Sequence, residues 1–278
     1  MRTLEQEFFD ERVFTVGHQF KHNDFTTATA TLDGWTPVFG AGTMVVADRL
    51  IAQEEPTVLT ITGTAVDDQV SSLWRTLEEF KFHLGRPIRF RVDQPIGLAD
   101  QNLDEQSCYI GCLEGADGAN DLLDDGAGPI LDRDKIGFYK CGATGAAVFP
   151  ANTWVCVSSY GALQQTTILS AANPLNLSGE HQKQHDPATI YRRALCLEAE
   201  WQSCNVVPGV AGAAPTLQDA EVRFWINGVL CAKHQMRGAF QITTAGTEAM
   251  NFGYVSRMQA AAIAVNHLSY MKCGQLRR

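Results

Sequence analysis

The sequence predicts an all-β protein, a sandwich of two sheets, and three observations carry that reading. Short segments rich in Val, Ile, Thr and Phe recur along the chain, several alternating apolar with polar residues, the period that buries one face of a strand. Gly, Pro, Asn and Asp clusters punctuate them, as tight connections require. Strand signals do not alternate regularly with helical ones, so a parallel sheet wrapped in helices is not expected.

The elements follow in order. TTATATL (26–32) alternates Thr with Ala or Leu. TMVVADRLI (43–51) and PTVLTITG (56–63) are rich in β-branched residues, and the second sets Val58, Thr60 and Thr62 against Leu59 and Ile61. EEFKFHLG (78–85) places Phe80, Phe82 and Leu84 on one face, and PIRFRVD (87–93) does the same with Ile88, Phe90 and Val92 after a Gly85-Arg86-Pro87 turn. One stretch fits two periods. Val70, Leu73, Trp74, Leu77, Phe80 and Leu84 also form a helical stripe, but the dense Phe alternation and the β-rich neighbours favour strands. From Gln94 to Asp134 the chain turns Gly- and Asp-rich and reads as a long excursion. Strands resume at KIGFYKC (135–141), TWVCVSS (153–159), IYRRALCLEAEW (190–201), EVRFWI with GVLCAKH (221–234) and within IAVNHLSYMKC (263–273). Loops are expected at 170–187 and 204–219. Residues 1–22 read as an arm outside a single domain spanning 23–278, with Phe8, Phe9 and Phe14 as its candidate partner-binding residues.

Bulk composition narrows the function. Hydrophobic residues make up 45% and charged residues 19% of 278 positions, enough for a buried core. No run reaches the ~18 apolar residues of a membrane span. The net charge is −9, and basic residues cluster no further than the pairs Arg192-Arg193 and Arg277-Arg278, so a nucleic-acid backbone is not an expected partner. Acids inside MRTLEQEFFDERVF argue against a secretory leader. Synthesis is then expected in a reducing compartment, and Cys108, Cys141, Cys156, Cys196 and Cys231 are expected as core thiols.

Candidate chemistry is sparse. Asp117, Asp121, Asp124 and Asp125 in DGANDLLDDGAGPILDRD (117–134) offer hard oxygens for Ca²⁺. Ala119 and Gly128 stand where a calcium loop needs ligands, so a solvated turn-rich loop is the expectation. His181 and His185 are four apart, as in H-E-x-x-H metal sites, but the glutamate is missing. Cys231 and His234 lack a second ligand pair, and their odd spacing should send them to opposite faces of a strand. Glu198 and Glu200 share a strand face, yet the E-x-D-x-x-E run of sandwich glycosidases is absent. No G-x-S-x-G, phosphate loop or G-x-G-x-x-G occurs. Neither a metal nor another cofactor is expected, and no catalytic residue is assigned.

The clearest motif is a hairpin. In EVRFWINGVLC (221–231), Val222, Phe224 and Ile226 face one way, Arg223 and Trp225 the other, and Asn227-Gly228 suits a type I′ turn. Preceded by IYRRALCLEAEW, it resembles the late strands of concanavalin-like jelly rolls, where a V-x-F-x-x-N-G hairpin recurs. GWTPVFGAGT (34–43), TGTAVDDQVSSLW (62–74), EEFKFHLGRPIRFRVD (78–93), GLADQNL (97–103), RDKIGFYK (133–140) and LSYMKCGQLRR (268–278) extend the likeness to jelly rolls of tailed bacteriophages that act as capsid-associated proteins. That resemblance implies a two-sheet jelly roll and a non-enzymatic head decoration, or cement, protein. Its partners would be the major capsid protein and copies of itself, as a dimer or trimer. It would be made in the host cytoplasm and sit on the outer capsid surface. The alternative on the same fold is a carbohydrate-binding module, a weak glycosidase or a tail-associated receptor-binding protein. Trp35, Trp74, Trp154, Trp201 and Trp225 are then the candidate glycan platforms.

Overall fold

A computed structural model describes residues 19–23, 34–39, 43–47, 58–63, 65–75, 80–82, 86–95, 106–117, 120–123, 126–142, 148–151, 153–160, 163–169, 194–207, 216–241, 249–261, 263–268 and 270–275. Their regular structure is all strand: β1 (Gln19–Asn23), β2 (Trp35–Phe39), β3 (Thr43–Ala47), β4 (Val58–Thr62), β5 (Val70–Arg75), β6 (Ile88–Pro95), β7 (Gln106–Glu114), β8 (Lys135–Lys140), β9 (Trp154–Tyr160), β10 (Leu163–Ile168), β11 (Ala194–Val207), β12 (Thr216–Ile226), β13 (Val229–Gln241), β14 (Met250–Met258), β15 (Val265–Leu268) and β16 (Tyr270–Gln275). No helix among these residues is long and apolar enough to cross a membrane.

The strands form a six-stranded sheet, β1-β16-β6-β11-β12-β13, facing a seven-stranded sheet, β10-β9-β8-β7-β14-β5-β2, with β15-β4-β3 as a smaller third sheet. All pairings are antiparallel. This is the two-sheet jelly-roll sandwich that the sequence predicts. Alternate residues of both sheets interleave between them. Phe138 of β8 meets Phe224 of β12 edge-on at 5.3 Å and Phe90 of β6 at 6.2 Å, and Phe90 lies 5.5 Å from Phe252 of β14. Burying one such ring contributes about 1.5–3 kcal/mol. Where the third sheet meets the others, buried polar groups form a hydrogen-bonded chain: Gln94 donates to Asn266 (2.5 Å), Asn266 to Tyr254 (2.8 Å) and Tyr254 to Gln106 (3.0 Å).

The Asn-Gly turn is as expected. Asn227 and Gly228 have φ of 50° and 77°, the two positive values of type I′. Asn227 also bonds β11: its amide donates to the Cys196 carbonyl, and its side-chain oxygen accepts from the Cys196 amide, both at 2.9 Å.

Several expectations are corrected. The excursion from 94 to 134 contains β7, a central strand of the larger sheet. The expected strand at 78–85 reduces, among its described residues, to a bridge between Phe80 and Met250, with Phe80 and Phe82 buried. The segment at 70–75 is strand, as its β-rich neighbours favoured. Expected loop 204–219 is shorter, because β11 runs to Val207 and β12 starts at Thr216. The segment 263–273 supplies two strands, in different sheets. Residues 19–22, at the end of the expected arm, pair with β16 at the sheet edge. TTATATL lies outside the described residues.

Candidate functional site

Alternation divides each strand of the seven-stranded sheet between the sandwich core and the opposite, outer face. On β7, Ile110 and Cys112 enter the core while Tyr109 and Leu113 face outward; Tyr139 of β8, Val155 and Val157 of β9, Val255 of β14 and Trp74 of β5 share that outer face. Gly111, Gly137 and Gly253 stand in register across three adjacent strands. A Cβ on Gly137 would lie 2.5 Å from the Tyr109 ring, and one on Gly253 would strike the Trp74 ring and the Leu73 carbonyl. The glycines are the floor on which these two rings rest.

A roof closes over them. Leu122 and Phe149 are buried against this outer cluster, Ala116 and Ile130 pack on it, and Phe149 meets Tyr139 at 5.3 Å. The roof is pinned by Leu123 donating to Gly128 (2.8 Å), Ile130 to Asp121 (3.0 Å) and Arg257 to the Leu122 carbonyl (2.9 Å). The solvated loop expected at 117–134 is therefore, in its described part, an apolar cover. Its acids face a resident cation: Arg133 lies 3.0 Å from Asp121, which is fully buried, and 3.6 Å from Asp117. Against a partial burial that would raise it, the Asn120 amide and Arg133 hold the Asp117 carboxyl below its ordinary value. Lys135, also fully buried, donates to the carbonyls of Ile130, Leu131 and Arg133. Burial lowers its ammonium to about 8, opposed by Asp132, Asp134 and Glu114. Among the described residues no group of three His, Cys, Asp or Glu side chains is placed to hold a metal ion.

Among the described residues the cover stops short of both edges, β2, where Thr36 is exposed, and β10. On β10, Gln164, Thr166 and Ile168 pair with Ser159, Val157 and Val155 of β9, and so share the outer face. Thr166 and Ile168 are exposed and Gln164 is half-buried. This amide, hydroxyl and aliphatic strip is uncharged. Among the described strand residues of the whole outer face there is no carboxylate.

Other residues singled out in the sequence are placed elsewhere. Glu198 and Glu200 lie on the outer face of the six-stranded sheet. Arg89 is 3.1 Å from Glu198 and 3.8 Å from Glu200, and Arg91 is 3.4 Å from Glu198. Burial raises the Glu200 carboxyl, opposed by Arg89 and Arg223. The pair is built into a charge ladder. Cys231 and His234 correct the expectation of opposite faces. Phe224 pairs with Ala232 and Trp225 with Leu230, so Cys231 is the extra residue of a β-bulge. The bulge turns Cys231 inward toward Cys156, with sulfurs 3.7 Å apart. His234 is 3% exposed, its Nδ1 2.8 Å from Ser158 Oγ and its Nε2 2.9 Å from Thr167 Oγ1. Burial lowers its imidazole to about 4, so it is neutral, held between two hydroxyls that each donate or accept as needed. The Ser-His contact carries no accessible nucleophile, since Ser158 is fully buried.

Of the tryptophans, Trp35, Trp74, Trp154 and Trp201 are buried, and Trp201 stacks on Phe82 at 5.0 Å inside the core. Trp201 is thus no glycan platform. Trp225 is half-exposed under Arg89, at 5.6 Å. Phe8, Phe9, Phe14, His181, His185, Asp124 and Asp125 lie outside the described residues. Sequence reasoning missed the β10 strip, although LQQTTI carries a strand signal in its paired threonines and terminal Leu and Ile.

No family model matches the chain, and no curated protein matches it. Solved structures do. SCLam, a non-specific endo-β-1,3(4)-glucanase from family GH16, is similar over 94% of this chain and 92% of its own, at 10% identity and a TM-score of 0.50. A protein of unknown function from Shewanella oneidensis MR-1 covers 93% of this chain and 86% of its own at 9% identity, with a TM-score of 0.48. Peanut lectin covers 94% and 98% at 8% identity, with a TM-score of 0.46. The shared property is the fold, a concanavalin- or lectin-like jelly roll.

Proposed function

We propose that the chain is a non-catalytic carbohydrate-binding module, with the Gln164, Thr166 and Ile168 strip at the open edge of the seven-stranded sheet as its contact surface. One observation carries this reading: the outer face of that sheet presents no carboxylate on its described strands, and along β10 it is exposed beyond the roof. Glycoside hydrolysis needs two acids about 5–9.5 Å apart beside the bond. The structurally similar glucanase has an activity that the described strand residues of this face lack the acids to support. Amide and hydroxyl groups beside an aliphatic side chain suit sugar hydroxyls and ring carbons. The test is a glycan array with wild type and Thr166→Arg, alongside thermal unfolding. The expected result is selective binding that the variant loses at unchanged Tm. A flat wild-type array would overturn the reading, and so would release of reducing sugar from a bound glycan.

A second reading, a head decoration protein on the outer surface of a phage capsid, draws on the sequence resemblance and on exposed apolar side chains. Val148 is 72%, Leu163 71% and Ile263 59% accessible, supplying contacts for the major capsid protein or further copies. Its test is the copy number of this chain per capsid subunit in purified particles. A simple lattice fraction supports decoration, and absence from particles excludes it.

A further inference from the structure

Two pairs of thiols span the gap between the main sheets. Cys156 of β9 faces Cys231 of β13, and Cys112 of β7 faces Cys273 of β16, with sulfurs 3.7 Å apart in both. All four are free thiols. A disulfide needs sulfurs ~2.05 Å apart, so either pair must close by roughly 1.7 Å.

Their surroundings decide which pair can do so. Cys112 and Cys273 are fully buried. Their strands are held on both sides, β7 between β8 and β14, and β16 between β1 and β6. Cys231 is half-buried and sits on β13, which among the described strands pairs in its sheet with β12 alone. It is also the unpaired residue of the bulge, where the ladder already departs from regular register. Edge position, bulge and exposure together give Cys231 both room to move and contact with solvent. Cys156 beneath it is the buried resolving partner.

We propose that Cys156 and Cys231 are a redox pair, oxidised by a low-molecular-weight disulfide to a cross-link between the two sheets, while Cys112 and Cys273 remain thiols. The Cys231 thiolate attacks one sulfur of oxidised glutathione, forming a mixed disulfide and releasing one glutathione thiolate. The Cys156 thiolate then attacks the Cys231 sulfur, forming the intramolecular disulfide and releasing the second glutathione. Two protein thiols are oxidised, one glutathione disulfide is reduced to two thiols, and the two protein protons pass to the leaving thiolates and solvent. The hydrogen bond from Cys156 lowers the Cys231 thiol, against the effect of burial, and burial raises that of Cys156. This order of attack follows from both geometry and acidity. The cross-link would join positions 75 residues apart and restrict the unfolded chain accordingly.

The test uses the reduced full chain in oxidised glutathione at pH 8 without denaturant, followed by alkylation and peptide mass mapping. The expected result is loss of two thiols, one cross-linked peptide pair carrying Cys156 and Cys231, and a Tm higher by about 5 °C or more. Cys273→Ser should leave that product unchanged and Cys231→Ser should abolish it. Glutathione retained on Cys231 without the cross-link would overturn the proposal. So would oxidation of Cys112 with Cys273 at the same rate, or no loss of thiols at all. The wild-type map decides the question even if a variant fails to fold.

Discussion

Lowering the pH through the range of an ordinary histidine should destabilise this protein through one side chain. His234 sits neutral between Ser158 and Thr167, 3% exposed, with the Phe224 ring centroid 5.0 Å away. Burial holds its imidazole at about 4, against ~6.5 in an unfolded chain. The folded value is the lower one, so between these limits the unfolded chain binds more protons and stability falls as pH falls. The contribution is intact above the unfolded value and is lost through the window from ~6.5 to about 4. The whole gap is worth about 3 kcal/mol, of which about 2.5 kcal/mol is lost by pH 4.5. His234→Asn removes the titrating ring and leaves every carboxylate and the other histidines in place. Urea unfolding of both proteins at pH 7 and pH 4.5 isolates the term. Wild type should lose about 2.5 kcal/mol more than the variant over that step. Equal losses within about 0.5 kcal/mol would refute the claim that this imidazole is buried and neutral.

Three further perturbations follow from the geometry. Arg133→Ala leaves the buried Asp121 carboxylate without its guanidinium and should cost about 3–5 kcal/mol in urea unfolding, with Asp121→Asn in the same chain recovering much of the loss. Gly137→Ala drives a methyl to 2.5 Å from the Ile110 carbonyl and the Tyr109 ring, so a loss of about 3 kcal/mol or more is expected by the same assay. Asn227→Ala gives up a bond to the Cys196 amide and a residue tolerant of φ 50°. About 1–2 kcal/mol should be lost, and Asn227→Gly should lose less, read by thermal unfolding.

The sandwich was legible where one strand face is wet. In ALCLEAEW the period of two assigns Leu195, Leu197 and Trp201 to the interior, where they lie. That parity places Trp201, a candidate sugar platform by sequence, in the core instead. In contrast, β7 (QSCYIGCLE) is covered by the core on one side and by the roof on the other. A strand buried on both faces loses its alternation, and Gly111 within it reads as a loop signal. The β-bulge at Cys231 was hidden for another reason. Which residue is extra depends on the register with β12, and pairing across a hairpin is not written into either strand alone. The roof likewise looked like a turn-rich loop, because Leu122 and Ile130 stand in short apolar pairs among Gly and Asp, and the target they share with Phe149 appears only in three dimensions.

The roof gives the molecule a second, outer core on the far side of the seven-stranded sheet from the first. Leu122 and Phe149 are the buried apolar side chains that the roof contributes to it, and two such side chains are worth about 3–6 kcal/mol. Detachment of the roof is therefore a cheaper event than global unfolding, the kind of opening that native-state hydrogen exchange resolves. A cost near 4 kcal/mol would uncover the glycine floor and its rings in roughly one molecule in a thousand at any moment. A ligand that fits that hidden surface would meet its binding-competent form at that frequency and would bind about a thousandfold more weakly than its contacts alone allow.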